Sequence, residues 1–247
     1  MHKIFETIIE EWKSNESVIG ILLTGSFAIG TYTESSDIDI RIVFDNSMNT
    51  TIKGVKRIKG YKVSYFGESV NGIKKRISQD YFRNLKFEAR VFSIGKILYK
   101  QDEQIDEIVS LAKEYMVQVF KDIKKDNDTV LLRLYSLNVE YHYLSNISGD
   151  SALFLYNYML FMRSAMNFYS WYLNYEHFID IKTDSVLNNN EYRRLNLWAD
   201  FPDNEFVKIW IEGVSHPNHN SLDKLYCYIE SKTQKIQDKD FEVLWNY

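Results

Sequence analysis

Asp37 and Asp39 stand one isoleucine apart in the run Asp37-Ile38-Asp39-Ile40, downstream of an apolar stretch that ends in Gly25-Ser26. On a β-strand a period of two puts both carboxylates on one side, a few ångströms apart. Two such anions repel unless a cation sits between them. A hard divalent ion, Mg²⁺ above all, accepts one or two carboxylates together with substrate phosphates. Gly25 allows a tight turn that brings backbone N–H groups up to a ligand, and Ser26 adds a hydroxyl for a phosphate oxygen. A helix beginning near Phe27 would add a field favourable to anions. Phosphates on Gly25-Ser26 and metal on Asp37 and Asp39 would then meet over one nucleoside triphosphate.

The elements that must hold these groups follow from the flanking pattern. Ile19–Thr24 reads as a short buried strand, and residues 37–44 alternate charged with apolar residues, as a half-buried strand does. Tyr61–Phe66 reads as a third strand, Val70–Asn84 as a helix, and Phe87–Tyr99 as strand or helix-end material closed by Gly95. Ile4, Phe5, Ile8, Ile9 and Trp12 mark an N-terminal amphipathic helix. Lys53, Lys56, Arg57, Lys59 and Lys62 read as a solvated loop and strand edge.

Eight of the ten glycines fall before residue 101, after which helical periodicity takes over. This divides the chain at 101/102. Ile105, Ile108, Val109, Ala112, Tyr115, Met116, Val119 and Ile123 predict one long helix, 130–144 a second and 151–175 a third. Shorter helices are expected near 205–213 and 221–236. The fold class is α+β: a mixed sheet with flanking helices over 1–101, then an all-α bundle over 102–247.

The spelling GSFAIGTYTESSDIDI, through Leu23, Gly25, Ser26, Gly30, Ser36, Asp37, Ile38, Asp39 and Ile40, resembles the nucleotidyltransferase superfamily that includes DNA polymerase β. It is closest to the branch that modifies small molecules such as aminoglycoside and lincosamide antibiotics, and it lacks the Arg-x-Asp of the tRNA-end-adding branch. Ser93–Lys100 looks like the strand that closes such domains. The resemblance implies a Mg²⁺-dependent transfer of NMP, AMP first among the choices, from ATP or another NTP to a hydroxyl. Asp37 and Asp39 would hold metal, with Gly25, Ser26 and Ser36 on the nucleotide.

The family usually carries a third carboxylate on a later strand. Here that strand is Tyr61–Phe66, where Ser64 or Tyr65 fills the slot and the nearest acids are Glu68 and Glu88. Arg41 shares the face of Asp37 and Asp39. It is placed either on a nucleotide phosphate or in a salt bridge to Asp39 or Glu88. In the helical half, Glu140 is a candidate general base, and Arg163, within an aromatic run, either meets the triphosphate in a cleft or pairs with a carboxylate in the bundle.

A formal net charge of −4 argues against extended nucleic-acid binding and for a small acceptor, cationic aminoglycosides included. Cys227 is the single cysteine, which excludes an internal disulfide and fits a cytoplasmic setting. Residues 152–173 are interrupted by Asn157, Arg163 and Asn167, so they read as a buried helix rather than a membrane span. His216 and His219 flank Pro217 without a completing ligand set, and read as a surface loop. Homo-oligomerisation is left open. Two other readings use the same fold: modification of a protein hydroxyl, as in toxin–antitoxin pairs, and nucleotide binding with impaired catalysis.

Overall fold

The computed structural model describes residues 2–120, 125–178, 180–236 and 242. These form two compact units, residues 1–119 with 190–198, and residues 120–189 with 199–247. Ile123, in the expected helical pattern, lies outside the described residues.

The first unit is built on strands β1 (Val18–Thr24), β2 (Ile38–Phe44), β3 (Ile52–Ile58), β4 (Tyr61–Ser69) and β5 (Lys96–Lys100), ordered β3-β4-β2-β1-β5. Only β2 and β4 pair in parallel; the other neighbours are antiparallel, so the sheet is mixed. β1 is all apolar but for Gly20 and Thr24 and is buried throughout, because helices cover both of its faces. Ile21 and Leu23 pack with Ile4, Ile8 and Trp12 of α1 (His2–Lys13) and with Phe27 and Ala28 of α2 (Gly25–Ile29). Leu22 and Val43 face the other way, onto α3 (Val70–Phe82), α4 (Phe87–Ile94) and α5 (Gln104–Val117).

The lysine-rich stretch from Lys53 to Arg57 is the edge strand β3, whose exposed charges suit an edge that must not recruit another chain. Phe87–Tyr99 resolves into α4, then β5, with Gly95 between them. The first unit runs past the composition change at residue 101 because Ile105, Ile108 and Ala112 of α5 enter its core. The helix ends at Val117, and Val119, expected on its buried face, is exposed.

The segment 190–198, with α9 (Asn190–Leu195), also belongs to this first unit. Arg90 explains the attachment. Its buried guanidinium donates to the Asn196 carbonyl at 2.5 Å and lies 3.8 Å over the Trp198 ring. A buried charge needs such partners.

The second unit is helical: α6 (Asn127–Ser145), α7 (Ala152–Tyr172), a 3-10 turn (Asp180–Lys182), α8 (Thr183–Asn188), α10 (Asn204–Ser215) and α11 (His219–Lys232). Asp126 caps α6 and Ser151 caps α7, each accepting a first-turn N–H. Tyr158, Tyr169, Tyr175 and Tyr226 are buried in the core of this unit, and each hydroxyl has a partner. Tyr158 donates to the Gly213 carbonyl at 2.9 Å, and Tyr169 and Tyr228 both donate to Asp203. Gly213 lets α10 approach α7 closely, since a Cβ there would stand 2.9 Å from Met162 Cε. Tyr143 and Tyr156 are exposed. His219 is not on a loop: it begins α11, with Nε2 3.0 Å from the Ile147 carbonyl and its ring against Phe154. No helix among the described residues is long and apolar enough to cross a membrane.

Candidate active site

The carboxyl end of β1 and the start of β2 lie side by side, with Thr24 opposite Asp39. The Thr24 hydroxyl donates to the Asp39 backbone carbonyl at 3.2 Å and ties the two strands at this point. The chain then turns through Gly25 at φ +62°. A Cβ at Gly25 would stand 2.1 Å from Asp39 Oδ2 and 3.0 Å from its Cγ. Glycine is therefore required twice over, by the backbone and by the carboxylate that fills the space. The Gly-Ser turn and the Asp-Ile-Asp strand of the sequence meet at this contact.

α2 starts at Gly25 rather than Phe27 and is only five residues long, closed by Gly30 at φ +79°. One turn of helix supplies much less field than the sequence suggested. The Ser26 hydroxyl has no partner among the described residues. Ser36 instead shapes its own loop, accepting the Thr33 N–H at 2.9 Å.

Asp37 immediately precedes β2 and is partly exposed, with Lys62 Nζ 3.4 Å from its Oδ2. Asp39 lies deeper. Parallel pairing sets Ser64 of β4 directly opposite it, and the Ser64 hydroxyl donates to Asp39 Oδ1 at 2.5 Å. Burial pushes the Asp39 carboxyl above the ordinary aspartate range. The Ser64 hydrogen bond pulls against this, Asp37 pushes it further up, and Arg41 and Lys62 pull it down. The carboxylate is short of positive charge.

Of Ser64 and Tyr65, Ser64 is the one that stands opposite Asp39. Neither glutamate considered for the third carboxylate is free. Glu68 is opposite Val43, four residues further along each strand, and Arg76 grips both its oxygens at 2.9 Å. Glu88, on α4, is 1% exposed and accepts from Arg41 Nη2 at 3.0 Å. Of the alternatives for Arg41, the structure has the ion pair with Glu88. The guanidinium also lies 4.5 Å over the Phe66 ring, with Arg76 at 5.1 Å from the same ring. Burial lowers the Arg41 pKa and raises that of Glu88, against the mutual attraction of the pair. Glu88 Oε1 is buried without a hydrogen-bond partner.

Glu140 and Arg163 belong to the second unit. Glu140 accepts from Ser164 Oγ at 3.1 Å, and its Oε2 is buried without a partner. Burial holds its carboxyl above the ordinary range, with the Ser164 bond acting the other way. Arg163 is not buried in the aromatic core: it is 60% exposed and pairs with Asp180 at 3.0 Å.

Two features were missed in the sequence. Ser64 was read as an absence, although a hydroxyl in register with Asp39 is itself a carboxylate partner. The Glu68–Arg76 pair, spaced to bridge a strand end and the next helix, was available as the signal that Glu68 is committed.

The family model for the nucleotidyltransferase domain matches residues 5–136, more than half of the chain. The chain belongs to the nucleotidyltransferase domain family. Its matched region contains the Gly25-Ser26 turn, both aspartates and the whole sheet. The solved structure of a nucleotidyltransferase-like protein from Exiguobacterium sibiricum is similar over 94% of this chain and 76% of that one, at 11% identity and a TM-score of 0.45. No curated protein matches the chain.

Proposed function

We propose that this nucleotidyltransferase domain transfers NMP, AMP first among the choices, from a nucleoside triphosphate to a hydroxyl of a small acceptor in a Mg²⁺-dependent reaction. One observation carries the reading: the Asp39 carboxylate fills the space over Gly25, so the phosphate-type turn and the acidic strand form one site. The donor set fits a divalent ion, because Asp37 and Asp39 are hard oxygen ligands and Asp39 is held in a desolvated setting that a cation would relieve. Mg²⁺ would supply charge neutralisation at the phosphates and polarise the reacting phosphoryl group.

The chain's own residues have separate tasks in this reading. Ser64 fixes the rotamer of Asp39 through Oδ1 and leaves Oδ2 on the Gly25 side. The Ser26 hydroxyl and nearby backbone N–H groups bind outer phosphate oxygens. Ser36 holds the loop that leads into Asp37. Glu88 keeps Arg41 off Asp39, so that the guanidinium acts on a phosphate without occupying the metal ligand. Glu140, with its raised pKa, is the proposed base toward the acceptor hydroxyl.

Net charge −4 favours a small acceptor, with aminoglycosides among the cationic choices. Incubation with labelled ATP, Mg²⁺ and a panel of hydroxyl-bearing compounds tests the proposal. Absence of both pyrophosphate and labelled product across the panel would refute it. Ser64 favours a second reading, nucleotide binding without efficient transfer, since the slot for the third acid holds a hydroxyl. ATP binding by calorimetry that is indifferent to Mg²⁺, in a protein that yields no product, would select it.

A further inference from the structure

The helical unit contains a pocket of about 320 Å³, the lower end of the range for small-molecule sites. Met159, Met162 and Met166, at helical spacing on α7, form one wall, and Trp210 and Phe178 form another. Three of the chain's six methionines are gathered here. Thioethers are polarizable and make favourable contacts with aromatic rings. The Trp210 indole N–H is already donated to the Met162 carbonyl at 2.7 Å, so the indole offers the pocket its apolar surface.

Six polar residues line the pocket, among them Thr183 and Ser170, whose hydroxyl is donated to Met166 Sδ. Arg163 and Asp180 satisfy each other at 3.0 Å and cancel in charge. Asn167 and His177 line the same pocket, and neither side chain has a hydrogen-bond partner among the described residues. A primary amide offers a donor and an acceptor side by side, and a neutral imidazole offers one of each. The Asn167 amide is an uncharged donor and acceptor, and the methionine and indole surfaces suit a ring.

From this we infer a binding site for a flat, uncharged heteroaromatic molecule that carries an adjacent donor and acceptor on one edge. The ring lies between the methionines and Trp210, and its edge is read by Asn167 with His177 beside it. The lining has no net charge to hold a triphosphate, which separates this site from the one proposed at Asp37 and Asp39.

The test is a methyl spectrum of the full chain labelled at methionine, titrated with adenine, adenosine and ATP as probes. Adenine or adenosine should shift Met159, Met162 and Met166 saturably and leave Met48 and Met116 in place. Asn167→Ala should weaken that binding by at least about fivefold, the scale of one lost hydrogen bond. Met159→Trp should block it, and a cooperative thermal transition within a few degrees of that of wild type would show that the helical unit still folds. The inference is overturned if the three methyls do not move, if Asn167→Ala binds as wild type does, or if ATP binds there tenfold more tightly than adenosine. Asp39→Ala should leave these shifts unchanged, so failure here and failure of the transferase reading are distinguishable.

Discussion

Gly25→Ala is the sharpest perturbation of the site. Alanine at φ +62° carries a backbone penalty of about 1 kcal/mol. Its Cβ would be 2.1 Å from Asp39 Oδ2, against an ordinary contact of about 3.4 Å, so the carboxylate must move by about 1 Å. That movement weakens the hydrogen bond from Ser64, which, being to a charged group, contributes about 1.5–3 kcal/mol. The expected total is about 2–4 kcal/mol, seen as a melting transition lowered by roughly 5–15 °C. The assay is a double-mutant cycle by thermal or urea unfolding, with Asp39→Ala as the second change. In the Asp39→Ala background the carboxylate is gone and Gly25→Ala should cost only the backbone penalty of about 1 kcal/mol. Equal costs in both backgrounds would refute the claim that the carboxylate is what excludes a side chain at Gly25.

Other outcomes follow from the same geometry. Because burial raises the Asp39 pKa, its ionised form destabilises the metal-free fold, and the penalty grows as the pH rises from the ordinary aspartate range through the raised value. Asp39→Asn should therefore unfold at higher temperature than wild type at pH 7 without Mg²⁺, and should lose stabilisation by Mg²⁺-ATP in the same melt. Ser64→Asp places a third carboxylate opposite Asp39 and should tighten Mn²⁺ or Mg²⁺ binding by about tenfold in calorimetry, with a less stable metal-free protein. Glu88→Gln leaves Arg41 without its buried counter-charge and should cost about 3–5 kcal/mol in urea unfolding. At Asp203, burial pushes the carboxyl up, but donors from Tyr169, Tyr228 and the backbone of Glu205 and Phe206 together bring it below the ordinary range. Asp203 thus stabilises the fold above about pH 4, and that contribution, absent in Asp203→Asn, is lost from wild type as the pH falls further.

The strands and helices were legible where burial imposes one period. β1 is apolar throughout, β2 alternates, and α6, α7, α10 and α11 follow their apolar stripes. The boundaries went astray where a tertiary contact decided them. Segment 190–198 has no apolar pattern of its own and is held to the first unit by Arg90, about a hundred residues away in the chain. At the site, the spacing of Gly25, Asp37 and Asp39 was readable because a turn and a period of two act locally. The state of Arg41 was not, since it depends on which helix delivers Glu88 beneath it. Arg163 takes one of its two expected arrangements, a pairing with a carboxylate of the bundle, but on an exposed face. A helix inside an aromatic run still has an outer face, and Arg163 lies on it.

The charged face of β2 also bears on how the sheet assembles. Asp39 and Arg41 share their side of the strand with buried Val43, while Ile38, Ile40 and Ile42 occupy the other side. A slip of one residue against β1 or β4 would turn both charges into the layer occupied by α1 and α2, where the packed residues are apolar. A slip of two would bring Arg41 toward the apolar contacts of Val43 and part it from Glu88. The residues read here as a site for nucleotide and metal thus also act as a register key. They make misaligned pairings of the central strand costly before any ligand arrives.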